Sequence, residues 1–449
     1  MQTIRELSRQ LATGQTSARA LSEAALARIE DPAGEGSRAF TKVYRDAALA
    51  EAEASDRLRT AGIVPSPLAG IPVSIKDLCD VAGETTLAGS TVRRGAPPAE
   101  RDAPVLARLR AAGAVIVGRT NMTEFAMGTL GLNPHYGDAA NPWDRATRRI
   151  PGGSSSGAAV SVSDGMAVAA LGTDTAGSVR VPAGLCGLAG FKPTARRVPT
   201  EGLFPLSHTL DSAGPLAPSV DCCAIVDAVF AGEAPWQPKP FPLRGLRIGV
   251  LKTLVQDGMD DAVSTAFEAA LRTLAAAGAL VQEMEIPSVA RLPELNSRGG
   301  FSAAEAYWLH CETLATKREQ YDPHVASRIL RGAEVSAADY LDLQQARREL
   351  RAEADAITPA WDIVALPTTP IVAPPIAGLE VAENWSRTAG LLLRNSLVAN
   401  FLDRCALTVP CHVPGEAPVG LMLMGETMAD RRVLEIGVAV EAALAARHG

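Results

Sequence analysis

Three short stretches hold the residues whose types suit covalent chemistry: PGGSSSGAAV (151–160), GTDTAGSVRVP (172–182) and IPVSIKDL (71–78). The first sets three consecutive serines between glycines. The second places Ser178 beside Gly177, and the third ends an apolar run on Lys76. A serine hydroxyl becomes a nucleophile only when a base takes its proton. The chain has six histidines, none close to the triple serine in sequence.

Several readings of the serine run compete. A flexible Gly/Ser linker is the blandest, but the run is short and leads straight into AAVSVSDG, an apolar stretch that reads as a helix ending at Gly165. Gly153-Ser154-Ser155-Ser156-Gly157 also matches G-x-S-x-G, with Ser155 as nucleophile and a distant His208 or His310 as base. That elbow needs a buried strand just before it, whereas NPWDRATRRIPGG is polar and proline-bearing. A phosphate cradle fails because neither G-x-x-x-x-G-K-[ST] nor a GxGxxG between strand and helix occurs.

GTDTAGSVRVP has a better context, since it follows the apolar run MAVAAL and turns on small residues. Successive N–H groups in such a turn converge on an anion, and small side chains let a substrate carbonyl approach the backbone. Lys76 supplies a base if its pKa falls from about 10.4 to about 7–8, a shift of roughly 4 kcal/mol that burial can provide. A Ser–Lys pairing is a known variant of triad logic. Taken alone, Lys76 reads more simply as an exposed lysine at a strand end.

The elements that must position these residues alternate between helix and strand patterns. DAPVLARLRAAG (102–113), with Asp102 as N-cap, feeds the strand AVIVG (114–118), and DAVSTAFEAALRTLAAAG (261–278) feeds ALVQEMEI (279–286). Further strands are expected at IPVSI (71–75), MAVAALG (166–172), LRIGVL (246–251), DIVALP (362–367) and VGLMLM (419–424). This is an α/β pattern: an α/β/α sandwich with a large mixed, mostly parallel β-sheet covered by helices on both faces. Residues 1–60 read as amphipathic helices, with Thr3 and Glu6 at capping-box spacing and Leu21, Ala25 and Ile29 on one face. One domain over 1–449 is expected, with APWQPKPFP (234–242), inside an excursion over about 232–245, as the best linker candidate.

Taken together and in order, IPVSIKD, GRTNMTEFAMG, PGGSSSG, GTDTAGSVRVP and CGLAGFKPT resemble the amidase signature family of serine hydrolases. The resemblance spans nearly the whole chain. It is densest over 66–215 and returns at DIVALPTTP and PVGLMLMG. It implies a Ser–cis-Ser–Lys apparatus: Ser178 as nucleophile, Ser154 as bridging serine after a cis Gly153–Ser154 peptide, and Lys76 as general base. It further implies an oxyanion hole from the N–H groups of Thr175, Ala176, Gly177 and Ser178, with Ser155 supporting and Asp174 and Arg180 bracing the loop. Met127, Gly128, Thr175–Gly177 and the segment 297–310 are expected to wall a substrate pocket free of paired arginines. That favours a neutral, aryl or hydrophobic amide, with esters and carbamates (urethanes) served by the same acyl chemistry; urea- or biuret-type substrates are an alternative. Two departures stand out, GGSSSG for the family's GGSSGG and TAGS for its TGGS. Val181 stands where the family's tRNA amidotransferase subunits commonly carry glutamine, which disfavours that partner-dependent role.

Composition narrows the rest. The 449 residues are 47% hydrophobic and 21% charged, with net charge −7 and no Lys/Arg block, so nucleic acid and anionic membranes are poor partners. No apolar run reaches the length of a membrane span, and the first residues lack a signal-peptide core. Seven scattered cysteines argue against a disulfide framework and for a cytoplasmic chain. The pairs His310–Cys311 and Cys411–His412 lack a second pair at ligand spacing, so no metal is expected, and the family chemistry implies no cofactor. A small-molecule amide is the expected partner, with homodimerisation common among similar proteins.

Overall fold

The computed structural model describes residues 1–447. Eleven strands run in chain order as β1 (Phe40–Val43), β2 (Pro72–Lys76), β3 (Val115–Thr120), β4 (Ala169–Thr173), β5 (Ala189–Lys192), β6 (Ala213–Ala217), β7 (Arg247–Leu251), β8 (Leu280–Met284), β9 (Ile363–Pro367), β10 (Ala406–Pro410) and β11 (Gly420–Met424). They form one sheet in the order β1-β3-β2-β4-β6-β5-β10-β11-β9-β7-β8.

The sheet is mixed and large, as expected, but the parallel majority is not there. Parallel pairing is confined to β3-β2-β4 and β8-β7-β9. The neighbours β6, β5, β10 and β11, and the edge strand β1, all pair antiparallel. The reason lies in the connections. Helix-strand repeats, as at Pro104–Ala111 before β3 and Asp261–Ala276 before β8, give parallel neighbours, whereas β10 and β11 close as a hairpin. Four strands, β1, β5, β6 and β10, escape the sequence reading. Of these, β5 (AGFK) and β6 (AGPLA) carry glycine, alanine and proline in place of the β-branched residues that advertise a strand.

Helices cover both faces. Consecutive residues of β10 point to opposite sides: Leu407 packs against Gly437 of helix Asp430–Ala445, and Thr408 against Gly184 of helix Arg180–Leu185. Central strands β2, β3, β4, β6, β9 and β11 are buried along their whole length, while edge strand β8 is largely exposed. The N-terminal helix Ile4–Ala12 has the expected Thr3–Glu6 capping box. Asp102 does not cap its helix. Ala103 holds the N-cap position, and the Asp102 carboxylate accepts from Ala82 N–H at 2.8 Å and pairs with Arg110. Residues 234–242 lie against both chain ends, through Arg5 to the Trp236 carbonyl and Phe241 N–H to the Glu435 carbonyl, before the chain enters β7 of the same sheet. No helix among the described residues is long and apolar enough to cross a membrane.

Candidate active site

Lys76 ends β2, a strand buried on both faces, and its side chain is fully buried. Nζ is hydrogen-bonded to Ser154 Oγ at 2.7 Å and to Thr173 Oγ1, at the end of the adjacent β4, at 2.9 Å. Burial pulls the Lys76 pKa down to about 7 against the opposing pull of Asp211 and Asp174. Ser154 is fully buried just before the helix Ser156–Ser163, and the Gly153–Ser154 peptide is cis. The neighbouring backbone is packed so tightly that a Cβ at Gly153 would lie 2.6 Å from Gly131 N. Ser154 is pinned by its own carbonyl, which accepts from Thr123 N–H at 3.1 Å.

The turn after β4 is built around Asp174. Its Oδ1 accepts from Gly177 N–H at 2.8 Å, and its Oδ2 accepts from Val179 N–H at 3.2 Å. The Arg180 guanidinium grips both oxygens, at 2.9 and 3.0 Å, and Asn400 Nδ2 adds a bond at 2.9 Å. Burial pushes the Asp174 carboxyl up, but Arg180 and these partners outweigh it and hold it well below the usual carboxylate range. Gly177 has φ 128°, and a Cβ there would fall 2.0 Å from Ser396 Oγ, so only glycine fits.

One expectation changes here. The Gly177 N–H is committed to Asp174 and is not free for an oxyanion. Among the described residues, the N–H groups of Thr175, Ala176 and Ser178 have no acceptor. Thr175 is fixed through its side chain, which donates to Asp211 at 2.5 Å, and Ala176 through its carbonyl, which accepts from Ser396 Oγ at 2.6 Å.

Ser155 donates its N–H to the Ser178 carbonyl at 3.3 Å and its Oγ–H to the Thr173 carbonyl at 3.4 Å, so it ties the serine loop to the turn. The elbow alternative loses its context. No strand leads directly into Ser155, since β3 ends at Thr120; the His310 ring bonds Tyr321 and its pKa is pulled down to about 4 by burial, and His208 stands edge-on to Trp308.

Ser178 lines a cavity with Met127, Gly128, Thr175 and Ala176, and with Gly299, Ser302 and Ala303 from the expected 297–310 wall. Gly177 is not among the lining residues. The expectation of a pocket without paired arginines fails, because Arg328 and Arg331 line it too. Leu393 and Leu397 complete it from helix Ala382–Phe401, whose next stripe carries Ser396 and Asn400 onto the Ser178 turn.

A family model described as Amidase matches residues 20–434. The chain belongs to the amidase family. It is a hydrolase of carbon–nitrogen bonds other than peptide bonds. This family member is 38% identical to a 2-amino-5-chloromuconic acid deaminase of Comamonas testosteroni, over 89% of this chain and 87% of that one. It is 37% identical to a 1-carboxybiuret hydrolase subunit AtzE of Pseudomonas sp. (strain ADP), over 97% of each. A crystal structure of an amidase superposes over the whole of both chains with a TM-score of 0.88 at 33% identity.

In this amidase, sequence reasoning missed Thr173, Asp211, Ser396, Asn400 and the two arginines. Ser396 and Asn400 had a partial signal, polar residues four apart in the helix's otherwise apolar C-terminal stretch SLVANF. Arg328 and Arg331 had none, because nothing local says which face of the helix Pro323–Leu330 meets the Ser178 turn.

Proposed function

We propose that this protein hydrolyses a small-molecule amide through an acyl-enzyme on Ser178, with Lys76 as base and Ser154 relaying the proton. The observation that carries this reading is the 2.7 Å bond between a fully buried lysine and Ser154. A lysine with its pKa near 7 is half neutral at neutral pH. Its lone pair takes the Ser154 proton while Ser154 Oγ takes that of Ser178, and Ser178 Oγ attacks the carbonyl carbon. The N–H groups of Thr175, Ala176 and Ser178 hold the oxyanion. The proton returns along the same relay to the leaving nitrogen, the C–N bond breaks, and water attacks the ester by the same route.

Met127, Leu206, Leu393 and Leu397 give the cavity an apolar wall, which suits a hydrophobic substrate body. Esters and carbamates fit the same acyl chemistry. The curated relatives above are named for a muconic acid and a carboxybiuret, so a strictly neutral aryl amide finds no support from them. One of them is named as a subunit, which favours a second reading in which this chain works beside a partner protein.

The test is labelling with a serine-directed fluorophosphonate, read by intact mass and peptide mapping, with Lys76→Ala in parallel. One adduct on Ser178, lost or greatly slowed in Lys76→Ala, is expected. An adduct on Ser155 that ignores Lys76 overturns the mechanism. No adduct without a partner supports the second reading.

A further inference from the structure

Deeply buried arginines here are answered by carboxylates, Arg119 by Asp77, Arg180 by Asp174 and Arg404 by Asp355, and half-buried Arg93, Arg347 and Arg394 donate to backbone carbonyls. The two that line the Ser178 cavity, one half-buried and one exposed, have neither kind of partner. Among the described residues neither the Arg328 nor the Arg331 guanidinium has an ion-pair or hydrogen-bond partner, and no Asp or Glu lines the cavity. Arg328 is half-buried near the end of helix Pro323–Leu330. Arg331, three residues on, is exposed and lies on the same side of the helix. The Arg328 guanidinium sits 5.1 Å over the ring of Trp385, which in turn stacks on His324 at 4.8 Å, so its fork is held in place. Burial and the like charge of Arg331 both weigh against its ionisation, though it stays charged at neutral pH. Asn296 and Ser302 bring further polar groups to the same wall.

Two adjacent guanidinium groups, unanswered by the protein and facing the nucleophile's cavity, need an anion to complete them. We infer that Arg328 and Arg331 form an anion subsite and that the substrate is an amide bearing a carboxylate. The inference rests on the Ser178 reading for the identity of the reacting bond but not for the arginine pair itself. A planar guanidinium fork matches a carboxylate in two parallel bonds, which orients the amide as well as holding it.

The experiment compares ω-amido acids (malonamate, succinamate, glutaramate) with acetamide, propionamide and butyramide, and N-acetylglycine with N-methylacetamide. The two sets distinguish a carboxylate on the acyl side from one on the leaving group. At least one acid is expected to exceed its neutral counterpart in kcat/KM by about 10- to 150-fold, the range for charged hydrogen bonds. The ratio is expected to fall towards one in Arg328→Gln and, with the exposed and fold-safe change, in Arg331→Gln. In parallel, calorimetric titration of Ser178→Ala with malonate, succinate and glutarate reads the subsite without turnover. Binding that is lost in Arg331→Gln supports the inference. A flat acid-to-neutral ratio together with no dicarboxylate binding overturns it, even if Ser178 takes the fluorophosphonate. Dicarboxylate binding without a Ser178 adduct keeps the subsite and moves the acyl-enzyme to the partner-dependent reading.

Discussion

Asp174 Oδ1 accepts the Gly177 N–H at 2.8 Å, and that single bond sorts the turn's amides into two groups. That amide, with those of Val179 and Arg180 on Oδ2, is spent on holding the loop's shape. Those of Thr175, Ala176 and Ser178 have no acceptor among the described residues, and all three residues line the Ser178 cavity. In the proposed reading these amides form the oxyanion hole, whose donors must be fixed before charge develops, and the buried carboxylate beneath the turn would do the fixing.

Asp174→Asn should therefore cost both stability and activity. Removing one partner of a buried ion pair leaves Arg180 uncompensated, at a cost of about 3–5 kcal/mol. A urea unfolding curve should show a clearly lower midpoint, and fluorophosphonate labelling of Ser178 should be lost in whatever remains folded. An unchanged midpoint would remove Asp174 from its bracing role.

Lys76 sets a pH signature. Its pKa is pulled down to about 7 in the folded chain from an ordinary value of 10.5, so kcat/KM should rise with pH through about 7 and level off above it. The same shift makes the unfolded chain bind more protons between about 7 and 10.5, so stability contributed through this group rises with pH across that window. Lys76→Met should be inactive, and its gain in stability over the parent should be larger at pH 6 than at pH 9. A gain that does not vary with pH would mean the lysine is not depressed.

Thr173 shares Lys76 Nζ with Ser154, at 2.9 Å against 2.7 Å. Thr173→Val keeps the shape and removes the hydroxyl. Losing one hydrogen bond to the base should lower kcat by about tenfold, with KM little changed. The alkaline-rising limb of the pH profile should move as well, which a purely structural role would not do.

Ala176→Gly restores the glycine usual in the family at this place. Ala176 lines the cavity, so losing its methyl should widen the range of acyl groups, read as a better kcat/KM ratio for benzamide against propionamide. Stability should fall by about 0.5–1 kcal/mol, since glycine has more freedom to lose on folding. An unchanged ratio would place the methyl outside the acyl path.

The sequence was most readable where one local pattern carries the constraint. Gly177, Asp174 and Arg180 sit within seven residues, so the need for a tight, braced turn is visible there. Lys76 is at the end of an apolar run, and its pairing with Ser154, 78 residues away, was reachable only through the resemblance. Much of the site depends on how distant helices pack. The helix Pro323–Leu330 and the residue that ends it turn Arg328 and Arg331 to the cavity, and the helix Ala382–Phe401 delivers Ser396 and Asn400 across more than 200 residues. The missed strands have a similar cause. Short, glycine-bearing β5 and β6 hold their place through neighbours on either side rather than through their own propensity.

Helix Ala382–Phe401 presents two adjacent stripes to the same region, Ser396 and Asn400 to the turn, Leu393 and Leu397 to the cavity. Their separation makes the helix a modular selector. Exchange of the two leucines can retune which molecules are accepted while the hydroxyl and amide beside them keep the reaction geometry intact. A lineage can thus change its diet by mutating one face of one helix, without relearning the chemistry.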